Sequence, residues 1–147
     1  MTIIVWIRDS QYGMPIAQSV HLVGLTMLLA TVLVVNLRLA GVALKDSPLA
    51  WLARELRPWM IGGLVVVLLS GALIFIGTPA KYLASNPFRV KMAALVLAML
   101  FQFFPLRRFA APDSAPRSRA VSLLVAALSL TLWFTVGWAG RAIAFIP

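Results

Sequence analysis

The chain has 147 residues, 62% hydrophobic and 12% charged, with no cysteine, one histidine and a net charge of +9. Soluble domains are about half apolar and about a quarter charged, so a mean hydropathy of +0.97 excludes a water-soluble fold. The absence of cysteine excludes disulfides, thiol catalysis and Cys-based metal or iron–sulfur sites. A single histidine excludes sites that take several imidazoles from one chain. The basic residues fall between apolar runs, as in the loops of membrane proteins, and form no basic face for nucleic acid.

The length suits a single integral membrane domain over residues 1–147. The segment MTIIVWIRDSQYGMP lacks a basic stretch leading into a small-residue cleavage site, so the first span is expected to act as its own insertion signal.

Charge-free runs predict an all-α bundle of four transmembrane helices, at about 16–37, 58–79, 88–106 and 118–141. Pro15 suits a first turn, and Pro58, Pro87 and Pro116 are each expected at a helix start, where a missing N–H is harmless. Asn86 and Ser114 are candidate caps, and Pro79 and Pro105 are expected to end the second and third spans. Between spans one and two, Asp46-Ser47-Pro48 suits the start of a short interfacial helix. Its Leu49, Trp51, Leu52 and Leu56 would meet lipid, with Arg54, Glu55 and Arg57 in water.

Loops one and three carry eight Lys and Arg residues, Arg38, Lys45, Arg54, Arg57, Arg107, Arg108, Arg117 and Arg119, against five on the other side, Arg8, Lys81, Arg89, Lys91 and Arg141. The positive-inside rule then places loops one and three in the cytoplasm and both termini outside. Gly63, Ser70 and Gly77 recur every seven residues along span two, a small-residue stripe suited to close helix packing. Gly137 and Gly140 are expected to serve the same purpose in span four.

His21 lies in a run, Ser10–Leu37, without Asp, Glu, Lys or Arg, and a titratable group at membrane depth marks a candidate site. With this topology, Arg89 and Lys91 of span three, Arg141 and Trp138 of span four, and Tyr82 of the intervening loop reach the same face. Ser129 and Trp133, one turn apart, are candidates for the same cavity. Such a set suits a small ligand: a quinone carbonyl or anionic lipid head group held by His21 and the cations, or a b-type haem with His21 on the iron and the cations on the propionates. The alternatives are structural. His21 can be a buried histidine bonded to a carbonyl or serine of a neighbouring helix, and the cations can snorkel to the interface. Asn36 and Arg38 read as interfacial anchors. The four acidic residues, Asp9, Asp46, Glu55 and Asp113, all lie outside the spans, which weakens a proton relay.

Several segments carry a resemblance: HLVG at His21, NLRLAG at Asn36–Gly41, LRPWM before span two, SGALIF within it, Tyr82 with NPFRVK at Asn86–Lys91, and SLTLW with GRAIAF in span four. Together they resemble a family of small bacterial four-helix membrane proteins of unknown function, distantly like copper-resistance D proteins and four-helix b-type cytochromes. The resemblance covers nearly the whole chain and implies family positions at His21, Gly24, Arg38, Gly71, Tyr82, Asn86, Phe88, Lys91, Trp133, Gly140 and Arg141. The chain departs from that pattern in having Asn36-Leu37-Arg38 for Asp-Leu-Arg, and Phe103-Phe104-Pro105-Leu106 where a second histidine is expected. A bis-histidine haem within one chain is therefore excluded. The expected role is a non-catalytic accessory or ligand-binding subunit in the lipid bilayer, alone or with a second copy or a membrane partner. A haem- or quinone-binding redox module and a small oligomeric transporter are the alternatives.

Overall fold

The computed structural model describes residues 2–106, 108 and 118–146. These form helices α1 (Ile3–Asp9), α2 (Gly13–Leu39), α3 (Leu49–Gly77), α4 (Pro79–Leu83), α5 (Asn86–Phe101) and α6 (Arg119–Ala142), with a π-helical turn at Gln102–Leu106 after α5. Among the described residues there is no strand. Helices α2, α3 and α6, and α5 with its extension to Phe104, are long and apolar enough to cross a bilayer. Their outward faces carry Leu22, Val23, Val65, Leu69, Leu97 and Phe134, all exposed. An apolar surface on this scale is stable only against lipid. The molecule is a multi-pass all-α membrane protein.

Helix α2 packs most extensively on α3 and α5 on α6, and the two pairs meet through α2 and α6. The α2–α3 contact is set by the seven-residue stripe. A Cβ built on Gly63 would stand 2.8 Å from the Leu28 backbone nitrogen and 3.0 Å from the Gly24 carbonyl oxygen, so the two backbones touch there. One heptad on, Ser70 meets His21, with its Oγ 2.9 Å from the imidazole Nδ1. At Gly77 the neighbours are the side chains of Met14 and Ile7. The α2 partners Leu28, His21 and Met14 are thus themselves seven apart, running the opposite way. Matching repeats of this kind keep two helices in contact over their whole length. Gly137 and Gly140 differ from expectation. A Cβ on Gly137 would meet nothing within 4 Å, and one on Gly140 would meet only the Lys91 side chain, so neither brings two helices together.

The core below this contact joins Leu28, Val32, Leu64, Leu95, Ala98 and Trp133 from all four long helices. Asn36 lies within the bundle, fully buried, and donates from Nδ2 to Ser129 Oγ of α6 at 3.1 Å and to the Val32 carbonyl at 2.8 Å. It is therefore a core link between α2 and α6 and no interfacial anchor. Burial next to an acceptor on the facing helix decided this, which hydropathy alone does not reveal. Arg38 Nε instead donates to the Ser47 carbonyl at 2.6 Å and ties down the loop. Helix α2 ends at Leu39, and the chain turns away at Gly41, whose φ of +74° suits glycine. The Gly41 N–H bonds the Arg38 carbonyl and the Val42 N–H the Leu37 carbonyl, which satisfies two acceptors of the last turn.

Several local expectations change. The segment after Pro48 is helical, but it is the beginning of α3 and no separate interfacial helix. Pro58 lies inside this 29-residue helix, not at its start. The price is the intrahelical donor to the Arg54 carbonyl, which a chain near the membrane surface can replace with water. Leu52, expected against lipid, is buried in protein. Pro79 opens α4, and Pro105 lies within the π-helical turn. The caps are Ser85, whose Oγ accepts from the Phe88 N–H at 3.4 Å, and Ser118, which accepts from the Val121 N–H at 3.3 Å. Asn86 is the first residue of α5, while Ser114 and Pro116 lie outside the described residues.

Two measurements follow. Gly63→Ala should lower stability by about 1–3 kcal/mol because the methyl meets backbone that cannot turn aside. Gly62→Ala, whose methyl meets only Met27 Cε at 3.4 Å, should be neutral or stabilising. Reversible unfolding in mixed detergent reads both, and equal losses would refute the backbone contact. A double-mutant cycle on Asn36→Ala and Ser129→Ala should give a coupling of about 0.6–1.7 kcal/mol, the range of hydrogen bonds between membrane helices. Strictly additive losses would show that the bond contributes nothing.

Candidate functional site

A cavity of about 490 Å³ opens where the N-terminal ends of α2 and α5 meet the C-terminal ends of α3 and α6. Its polar lining is Gln18, His21, Lys81, Tyr82, Lys91 and Arg141. Its apolar lining includes Leu25, Val67, Ile74, Phe75, Leu95 and Val136. His21 lies eight residues into α2, roughly 12 Å along its axis from Gly13.

The imidazole is held by its neighbour. Ser70 Oγ is within donating reach of the Val66 and Val67 carbonyls, and with its proton there the 2.9 Å contact to His21 Nδ1 has Nδ1–H as donor and Oγ as acceptor. A proton on Nδ1 leaves Nε2 as an acceptor when the ring is neutral. Nε2 makes no hydrogen bond to the described residues. Gly71 leaves the space the ring occupies, since a Cβ there would stand 3.3 Å from Cε1. His21 is thus bonded to a serine of a neighbouring helix on one side and lines the cavity on the other.

Lys91 reaches the cavity from α5 and lies along Gly140 of α6, with Nζ 3.5 Å from where a Cβ would be. It has no hydrogen bond or carboxylate partner among the described residues. The guanidinium of Arg141 stacks on Phe145, 5.0 Å from its centroid, and the Lys81 ammonium stands 5.9 Å from the Tyr82 ring. Among the described residues no carboxylate reaches this group. Asp9 pairs with Arg8 at 2.8 Å on the exposed surface, where the hydrogen bond from Arg8 holds its carboxyl below the ordinary carboxylate range. Asp46 and Glu55 belong to the opposite end of the bundle, and Asp113 lies outside the described residues. The cavity is an apolar chamber with a cationic rim.

The wall beside α4 is aromatic. Phe75 and Phe88 stack at 5.5 Å with planes 10° apart, and Tyr82 tilts against both. These rings bind the end of α3 to the start of α5, whose backbones approach each other little elsewhere.

The predicted residues divide. His21, Tyr82, Lys91 and Arg141 line the cavity. Arg89 does not; it is exposed and its Nη2 donates to the Leu83 carbonyl at 3.2 Å, because two residues of helix turn it away from Lys91. Trp133 is also outside the lining, 3% exposed in the core beneath it, and Ser129 is bonded to Asn36. Trp133 shares a helix face with Gly137 but lies one turn deeper, where the core closes around it. Trp138 is exposed on the outer surface. Gln18, Lys81 and Phe75 also line the cavity, and Phe88, a position implied only by the resemblance, joins them. Gln18 precedes His21 by three residues, and that helical spacing could have flagged it. The others needed the turn made by α4.

Among the described residues no group of three or more His, Cys, Asp or Glu side chains is placed to hold a metal ion. His21 is the one imidazole, and Nε2 is its open atom.

No curated protein and no solved structure matches the chain, and a likeness to copper-resistance D proteins or b-type cytochromes finds no support there. A match to a family of unknown function, DUF6644, runs over residues 5–146. Covering nearly the whole chain, from α1 through the end of α6, that match places this protein in the DUF6644 family.

Proposed function

We propose that this protein is a non-catalytic ligand-binding subunit of the bacterial inner membrane, with its site in the cavity around His21 at the outer leaflet. The observation that carries the reading is the convergence of His21, Lys91, Arg141 and Lys81, from four different helices, on one chamber with no carboxylate among the described residues. Cations left unpaired beside apolar surface destabilise a bundle, and stability given up in this way is characteristic of binding sites. The excess of Lys and Arg in loops one and three supports an outward-facing chamber. A second reading, a haem or quinone centre, is favoured by one feature: an imidazole anchored at Nδ1 with Nε2 open suits an iron atom or a quinol hydroxyl.

Protein purified in lipid nanodiscs should release a bound small molecule detectable by native mass spectrometry. His21→Ala should reduce its occupancy about tenfold, the effect of losing one good hydrogen bond to a charged group, without loss of helicity by circular dichroism. Unchanged occupancy in a folded His21→Ala variant would refute the site. A Soret band lost on the same substitution would replace the first reading with the haem centre. Because the chain has no cysteine, a single Ala84→Cys introduced beside α4 should react with impermeant maleimide from the periplasmic side of intact cells, and Asp46→Cys only after permeabilisation. The reverse pattern would invert the topology.

A further inference from the structure

We propose that the ligand is an amphiphile with a phosphate monoester head group on a single aliphatic chain. This rests on the reading of the cavity as a ligand site and concerns what that site selects. Three cations from three helices, Lys81, Lys91 and Arg141, surround one chamber that has no carboxylate among the described residues, so an anion is the complement. Lys91 carries this furthest. It is half-buried, has no hydrogen-bond or carboxylate partner among the described residues, and its chain runs along Gly140, where a Cβ would stand in ordinary contact at 3.5 Å and a branched side chain would displace it.

His21 adds a requirement that a simple anion does not meet. With Nδ1–H committed to Ser70, the neutral ring offers an acceptor at Nε2, and an acceptor beside three cations calls for a ligand with both anionic oxygens and an acidic O–H. A phosphate monoester bearing one proton supplies both: its P–O–H donates to Nε2 while the remaining oxygens accept from the ammonium and guanidinium groups. A carboxylate has two oxygens and no proton to give, and an alcohol has no charge.

The rest of the chamber defines the tail. A volume of about 490 Å³ is that of a site for a whole small molecule, and an inorganic anion would leave most of it empty. Below the cations the walls are Leu25, Val67, Ile74, Leu95 and Val136, with no polar side chain among them. A hydrocarbon chain satisfies that surface at the depth where bilayer chains themselves lie.

The test uses the full chain in phosphatidylcholine nanodiscs, with dodecyl phosphate as probe and dodecanol and inorganic phosphate as comparisons, each followed by tryptophan-fluorescence melting and native mass spectrometry. Dodecyl phosphate should raise Tm and add one copy to the protein mass, while neither comparison does. Lys91→Met should weaken dodecyl phosphate binding by about tenfold or more, the effect of one charge-assisted hydrogen bond, and leave the unliganded Tm unchanged or higher. Gly140→Val, which reaches the same ammonium through the facing helix, should weaken binding in the same direction. Inorganic phosphate binding as tightly as dodecyl phosphate would overturn the role of the chain. Dodecanol binding equally well, or full affinity in Lys91→Met, would overturn the role of the charge. An uncharged short-chain quinol that binds in a His21-dependent manner while dodecyl phosphate does not would sink this ligand class and leave the site standing. Failure of every probe on folded wild-type protein would remove both.

Discussion

The backbone contact between α2 and α3 at Gly24, Leu28 and Gly63 is the constraint on which the rest of the molecule depends. Helices in lipid gain nothing from hiding apolar surface, because the alternative solvent is equally apolar, so close packing must hold them together. At Gly63 nothing separates the two backbones. That closeness fixes the register of two antiparallel helices, and register determines what meets one heptad further along. There Ser70 receives the Nδ1–H of His21, and the tautomer of the one imidazole follows. A substitution two turns below the cavity can therefore alter its chemistry without touching it.

The second pair, α5 and α6, presents Lys91 and Arg141 to the space that α2 and α3 leave open. Glycines 137 and 140 on α6 keep that space clear, where the same residue type on α3 closes a gap. Charge distribution completes the site. The acidic residues of this chain are few, and those described are exposed near its surfaces or in a pair with Arg8. The cations at the chamber accordingly meet aromatic rings and the Gly140 surface. Lys91 is half-buried and Lys81 and Arg141 are exposed at the rim, so the proposed anion would meet one cation inside the chamber and two at its mouth.

Much of this was legible in the residues. The four spans, the seven-residue stripe and the depth of His21 follow from apolar run length, helical periodicity and the placement of charge, all local properties. The helix stops were less legible. Pro58 has the signature of a helix start, yet α3 passes through it, because a proline's lost hydrogen bond is tolerable where water or neighbouring groups can replace it. Arg89 and Lys91 look equivalent in sequence, and two residues of helical rotation send them to different surroundings. Asn36 looks like an anchor because it is polar and near a span end; it is a core residue because Ser129 lies across from it.

By itself, then, the sequence determined that the chain crosses the membrane, about where it does so, and that one end of the bundle gathers a histidine with several cations. Hydropathy and charge decide these things, and each is a sum over neighbouring residues. Only the tertiary structure decided which of those cations share a chamber, that Trp133 belongs to the core beneath it, and that α4 carries Lys81 and Tyr82 to its rim. The physical reason is that facing depends on helix rotation and register. Both are set by contacts between residues far apart in the chain, such as Gly63 with Leu28 and Ser70 with His21.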